Sequence, residues 1–155
     1  MLETLEAAGG IYVAVFALAI VSGVVPLFNA EIALIGLTIA VGSLPKALVF
    51  AGLIAIGQTI SHSSLYFSAR GVTKVTAKRR AKLEARIARA RAIVERWGDK
   101  WLLLLCASAT LGIPPMLLVS VAAGALEVRF RTYAIIAIIG RTVRFTALAL
   151  AAHYL

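Results

Sequence analysis

Glu31, Arg141 and Arg144 are charged side chains set in or beside long runs of Ala, Val, Ile and Leu. A charge at the centre of a bilayer costs at least about 2.5–3.5 kcal/mol, so such groups face a partner or a cavity. Arg141 and Arg144 are three residues apart and share one face of a helix. Such guanidinium forks, together with helix N-termini, suit a phosphate headgroup better than a neutral solute. Glu31 follows Asn29, a good N-cap, and so stands in a first helical turn, where free N–H groups and the helix dipole stabilise a carboxylate. The expected pair is Glu31 with Arg141. It has three readings: an anion site, a proton carrier at Glu31, and a salt bridge that only holds the helices together. Gln58 and His62, with Ser61, Ser63 and Ser64, form a polar patch that either lines a path or bonds across helices.

No nucleophile triad, metal-ligand spacing or phosphate-cradling glycine loop accompanies these residues. Neither catalytic residues nor a metal or cofactor is expected, and the chain does not read as an enzyme. The single cysteine, Cys106, reads as a small packing residue, without a disulfide framework.

The elements that hold these groups are set by hydropathy. The 155 residues are 61% hydrophobic, well above a globular share. Uncharged runs cover Ala7 to Ala30, Ala47 to Ala69 and Leu102 to Leu126, each long enough for the roughly 20 helical residues that fill a hydrocarbon core. Glu3 and Glu6 stand where a signal peptide needs positive charge, so the first run is expected to stay in the mature protein. The run from Ile32 to Pro45 is too short to cross alone. The predicted fold is an all-α integral membrane protein in which residues 11–44 form a re-entrant hairpin and 47–69 a crossing helix.

Breakers mark the hairpin tips. Pro26 disfavours helix at the preceding residue, and Asn29 caps the returning arm. In 101–126 the tip is Gly112, Pro114 and Pro115, where Gly ends one half-helix and Pro opens the next. A second crossing helix follows over 131–153. Pro26 to Gly36 and Pro114 to Gly124 share one spacing, and residues 50–59 align by type with 133–142, Gly57-Gln58 falling on Gly140-Arg141. Two repeats, 8–69 and 101–153, each with one crossing, would be inverted with respect to each other.

The net charge of +9 is concentrated between Arg70 and Trp101. Over 72–99, Leu83, Ile87, Ala90, Val94 and Trp97 make one apolar stripe, and Lys78, Arg79, Arg80, Lys82, Arg86 and Arg89 lie around it. This is the pattern of a helix on an anionic lipid surface, and by the positive-inside rule residues 70–101 are cytoplasmic. A nucleic-acid arm would want interleaved aromatics or a base-reading motif, and the segment has neither, so no nucleic-acid partner is expected.

Several motifs together resemble the DedA superfamily, the VTT or SNARE-associated family, and most closely its short YqaA-like branch. They are Pro26-Leu-Phe-Asn-Ala-Glu31, Gly57-Gln58, Tyr66, Arg70-Gly71, Arg96-Trp97-Gly98, Gly112-Ile-Pro-Pro115, Ala123-Gly124, Phe130 and Gly140-Arg141-Thr-Val-Arg144-Phe145. The resemblance implies two opposed re-entrant hairpins in a bacterial or archaeal plasma membrane. It also implies a transporter or scramblase that moves lipids or lipid-phosphate carriers, in some members with protons, and it is compatible with an oligomer. The family's membrane acid matches Glu31, and its Gly-Arg signature matches Gly140, Arg141 and Arg144. Gln58 stands where many members carry an acid or Asn, and Met116 or Leu117 where an Arg often follows the second-hairpin Pro, which departs from a paired-acid proton relay and a full phosphate clamp. The competing expectations are a small-cation or drug exporter and a structural or adaptor membrane protein.

Overall fold

The computed structural model of the chain describes residues 2–25, 29–71, 84, 88, 92, 96 and 100–155, of residues 2–8 the backbone alone. Among the described residues there are six numbered helices and no strand: α1 Leu2–Val24, α2 Ala30–Val41, α3 Leu44–Arg70, α4 Trp101–Leu111, α5 Met116–Ala125 and α6 Phe130–Tyr154. Two of these, α3 with 27 residues and α6 with 25, are long and apolar enough to cross a membrane. At 1.5 Å per residue both exceed a hydrocarbon thickness of about 30 Å.

The helix ends follow local chemistry. α2 opens on Asn29, whose Oδ1 accepts from the backbone N–H groups of Glu31 (2.9 Å) and Ile32 (3.4 Å). It closes on Gly42, which takes the left-handed conformation (φ 60°) and donates to the carbonyl of Thr38. That glycine stops the returning arm at Val41, short of the expected residue 44, and α3 begins at Leu44. α1 starts at Leu2, well before the expected residue 11. α4 ends on Gly112 (φ 76°), whose N–H donates to Ser108 O, and α5 opens after Pro115, as the break motif predicts. Pro26 lies outside the described residues, as do Lys78, Arg79, Arg80, Lys82, Arg86, Arg89 and the apolar stripe of that segment. Glu84, Ala88, Ala92 and Arg96 are helical and exposed.

The long helices are apolar on their outer faces as well as on their buried ones. Facing outward on α3 are Val49, Ile56, Ile60 and Phe67, and on α6 Ile135, Ile139, Val143 and Leu150. The polar groups Ser61, His62 and Arg141 are buried instead. Contiguous apolar surface of this kind is rare on a water-facing monomer. It suits helices surrounded by lipid. Cys106 is exposed rather than packed, because α4 turns Leu104, Leu105, Ser108 and Ala109 inward and residue 106 falls between them.

The chain forms two compact units, Met1–Ser61 with Arg141–Leu155, and His62–Gly140. In the first, α1 and α2 touch, Tyr12 and Phe50 bring their rings to 5.5 Å, and α2 buries Ala30, Leu34 and Thr38 on one stripe. Gly57 lets α3 lie against α1: a Cβ there would come within 2.7 Å of the Ala19 Cβ. The second unit is built on Tyr66 and Tyr133, stacked at 5.1 Å among Leu104, Leu105, Ala109, Met116 and Val119. Tyr66 donates to Val128 O and accepts from Arg70 Nη1, while Tyr133 donates to Ser120 Oγ at 2.7 Å. Here Gly140 plays the part of Gly57, its missing Cβ being within 2.5 Å of the Ala109 Cβ.

These two glycines are contact points between helices, whereas Gly52 has open space around its Cβ position. Gly140→Val should destabilise the protein by about 1–3 kcal/mol through overpacking. Gly52→Ala should be neutral or raise stability by about 0.5–1 kcal/mol through helix propensity. Thermal unfolding of the detergent-solubilised variants checks both.

Candidate functional site

The first unit gathers four of the five polar residues singled out by the sequence. Arg141 and Arg144 lie near the middle of α6, and Gln58 lies near the middle of α3. Glu31 occupies the first turn of α2, held there by the Asn29 cap. The Glu31 carboxylate accepts a charge-assisted hydrogen bond from Arg144 Nη2, forming an ion pair whose side chains keep 36% and 23% of their surface exposed. Arg141 is 3% exposed, and its Nη1 donates to Gln58 Oε1 at 3.2 Å. The amide of Gln58 donates in turn to Ser22 Oγ (3.2 Å), and that hydroxyl donates to Ala19 O (3.0 Å). Side chains from four helices thus bring one carboxylate and two guanidiniums into a single compact unit.

This corrects the expected pairing of Glu31 with Arg141. The spacing of the two arginines fixes their shared face, but not which turn of α6 meets the start of α2. In the folded chain that turn carries Arg144. Arg141, one turn earlier, is met by Gln58. An amide serves a buried guanidinium by accepting through its oxygen while its NH₂ donates elsewhere, and Gln58 does both.

Ser22 joins the site unannounced. A lone hydroxyl in an apolar helix carries no sequence signal of its own, and only its position facing Gln58 gives it a role. His62 is buried and has a partner, and it falls in the second unit. Asn29 acts as the expected cap, and Gly112, Pro114 and Pro115 form the break between α4 and α5, in the second unit. His153 lies in the last turn of α6.

The arrangement carries a formal charge of +1. Its carboxylate is stabilised by a helix N-terminus and a guanidinium, and its second guanidinium is held by a neutral amide. It is suited to binding an anion by partial exchange with Glu31. Among the described residues no cluster of three or more His, Cys, Asp or Glu could hold a metal ion. No protein-family model, curated protein or solved structure matches the chain.

A double-mutant cycle of Glu31→Gln with Arg144→Gln should give a coupling of about 1 kcal/mol or more. The Glu31→Gln and Arg141→Gln cycle should give a smaller one. Chemical denaturation in detergent measures both, and the opposite order would restore the Arg141 pairing.

Proposed function

We propose that this chain is a membrane protein that translocates lipids bearing a phosphate headgroup, with Glu31, Arg141, Arg144 and Gln58 lining the polar site through which the headgroup passes. The observation that carries this reading is the meeting of Glu31, at the start of α2, with Arg144 near the middle of α6, one turn from the buried Arg141, on a helix whose outer face is apolar. If α3 and α6 cross the bilayer, that point falls near mid-depth, where a charge is expensive and is kept for a task.

In this reading α1 with α2, and α4 with α5, are re-entrant hairpins, and each half of the chain is a hairpin followed by a crossing helix. Two facts support the repeat. The passage from α1 to α2 and the passage from α4 to α5 stand in corresponding places. Gly57 and Gly140, which align in the sequence, each take a neighbouring helix at closest approach, α1 through Ala19 in one unit and α4 through Ala109 in the other. The order of motifs resembling the DedA superfamily supports the same reading. So does the basic segment 70–101, which on this reading lies along the cytoplasmic face of a bacterial or archaeal membrane.

Arg144 on Glu31 counts against a small-cation or drug exporter, which needs its carboxylate open to the cation. The competing structural reading treats the same pair as a fastening, and a transport assay separates the two. In liposomes carrying a fluorescent phospholipid, Glu31→Gln, Arg141→Ala and Arg144→Ala should each slow flipping roughly tenfold or more, the scale of losing a hydrogen bond to a charged group. The melting transition in detergent should be retained. Unchanged flipping by folded variants would overturn the transport reading, and variants that do not fold would favour the fastening.

A further inference from the structure

The first unit carries an apolar groove of about 720 Å³ between α2 and the end of α6. Its walls are Ile35, Thr38 and Ile39 on one side and Leu148 and Ala151 on the other, and it runs out between Gly42 and His153. Thr38 does not make it polar, since its hydroxyl donates to Leu34 O within the helix at 2.8 Å.

The register of this groove relates it to the charged site. Ile35 is one helical turn beyond Glu31, and Leu148 is one turn beyond Arg144. The groove therefore starts about one helical turn from each member of the ion pair and follows α2 away from it. From Glu31 to Gly42 the helix rises about 16 Å, close to half of a hydrocarbon core of about 30 Å.

Resting on the lipid reading above, we propose that this groove seats one acyl chain of an anionic phospholipid, with the phosphate at the Arg144 end and the chain directed toward His153. Charge complementarity sets the direction. The Glu31, Arg141 and Arg144 end carries a net positive charge and the walls beyond it carry none. Arg144 gives Glu31 one terminal nitrogen, so the rest of its five-donor fork matches phosphate oxygens. Inside a bilayer the chain gains no transfer free energy by entering the groove, because its surroundings are already apolar. Shape contact in the groove orients the chain, and the guanidinium selects the headgroup.

The test uses the full chain in liposomes with a phosphatidate that carries a photoreactive diazirine in one acyl chain. Adducts should be enriched several-fold at Ile35, Ile39, Leu148 and Ala151 over Ile32 and Val143, which are exposed but lie outside the groove. Ala151→Phe, which fills the groove without touching the charged group, should abolish the enrichment. A diacylglycerol analogue without the phosphate should not show it.

Labelling spread evenly over groove and control positions overturns the groove proposal. If flipping persists at the same time, the transport reading is untouched. Groove labelling in a protein that flips nothing supports the seat while sinking transport. A photoreactive residue at position 151 that captures a second copy of the chain instead of lipid also overturns the proposal, because the groove is then an interface.

Discussion

A carboxylate and two guanidiniums among helices of Ala, Ile, Leu and Val pose one problem for this chain: each charge has to find stabilisation that an apolar surrounding does not provide. The solution differs for each group. Glu31 is held by a helix N-terminus whose first donors are taken by Asn29, and by Arg144. Arg141, the most buried of the three, uses the carbonyl oxygen of Gln58. Gln58 keeps that orientation because its amide nitrogen is occupied by Ser22. Removing one member leaves a buried polar group short of a partner, which costs more than the net worth of the bond itself.

From that constraint the breaks in the chain follow. A helix N-terminus can stabilise the Glu31 carboxylate only if a helix begins beside it, and α2 does so at Ala30. A break in lipid exposes backbone groups, which are tolerated only where protein or a cavity covers them. The remedies here are side-chain and glycine caps: Asn29 at the start of α2, Gly42 at its end and Gly112 at the end of α4. With little hydrophobic drive to press helices together in lipid, small residues do the packing. Gly57 against Ala19, Gly140 against Ala109 and Gly124 against the Tyr66 backbone are cases in point.

Much of the helix plan was legible because its signals are local. The Asn29 cap, the Gly112 and Pro115 break and the two long helices depend on residues within a few positions of one another. The site was legible as a set of residues but not as a set of bonds. Sequence spacing puts Arg141 and Arg144 on one face, yet the partner of each depends on how far α2 is slid along α6, a tertiary quantity. Ser22 and the outward position of Cys106 were illegible for the same reason. The alignment of Gly57-Gln58 with Gly140-Arg141 contained more than it first yielded, since Gln58 and Arg141, the residues after the two glycines, are themselves bonded.

On the proposed reading α6 holds Arg141 and Arg144 in the middle of a bilayer, with Glu31 of α2 beside Arg144. Site-directed spin labels at Ile135, Ile139, Val143 and Leu150, along the exposed stripe of α6, measure this directly in liposomes through their relative access to oxygen and to a water-soluble nickel chelate. The expected depth profile is a single maximum around Ile139 and Val143, beside the two arginines, falling toward Ile135 and Leu150. High nickel access at all four positions would contradict it and return the helix to water.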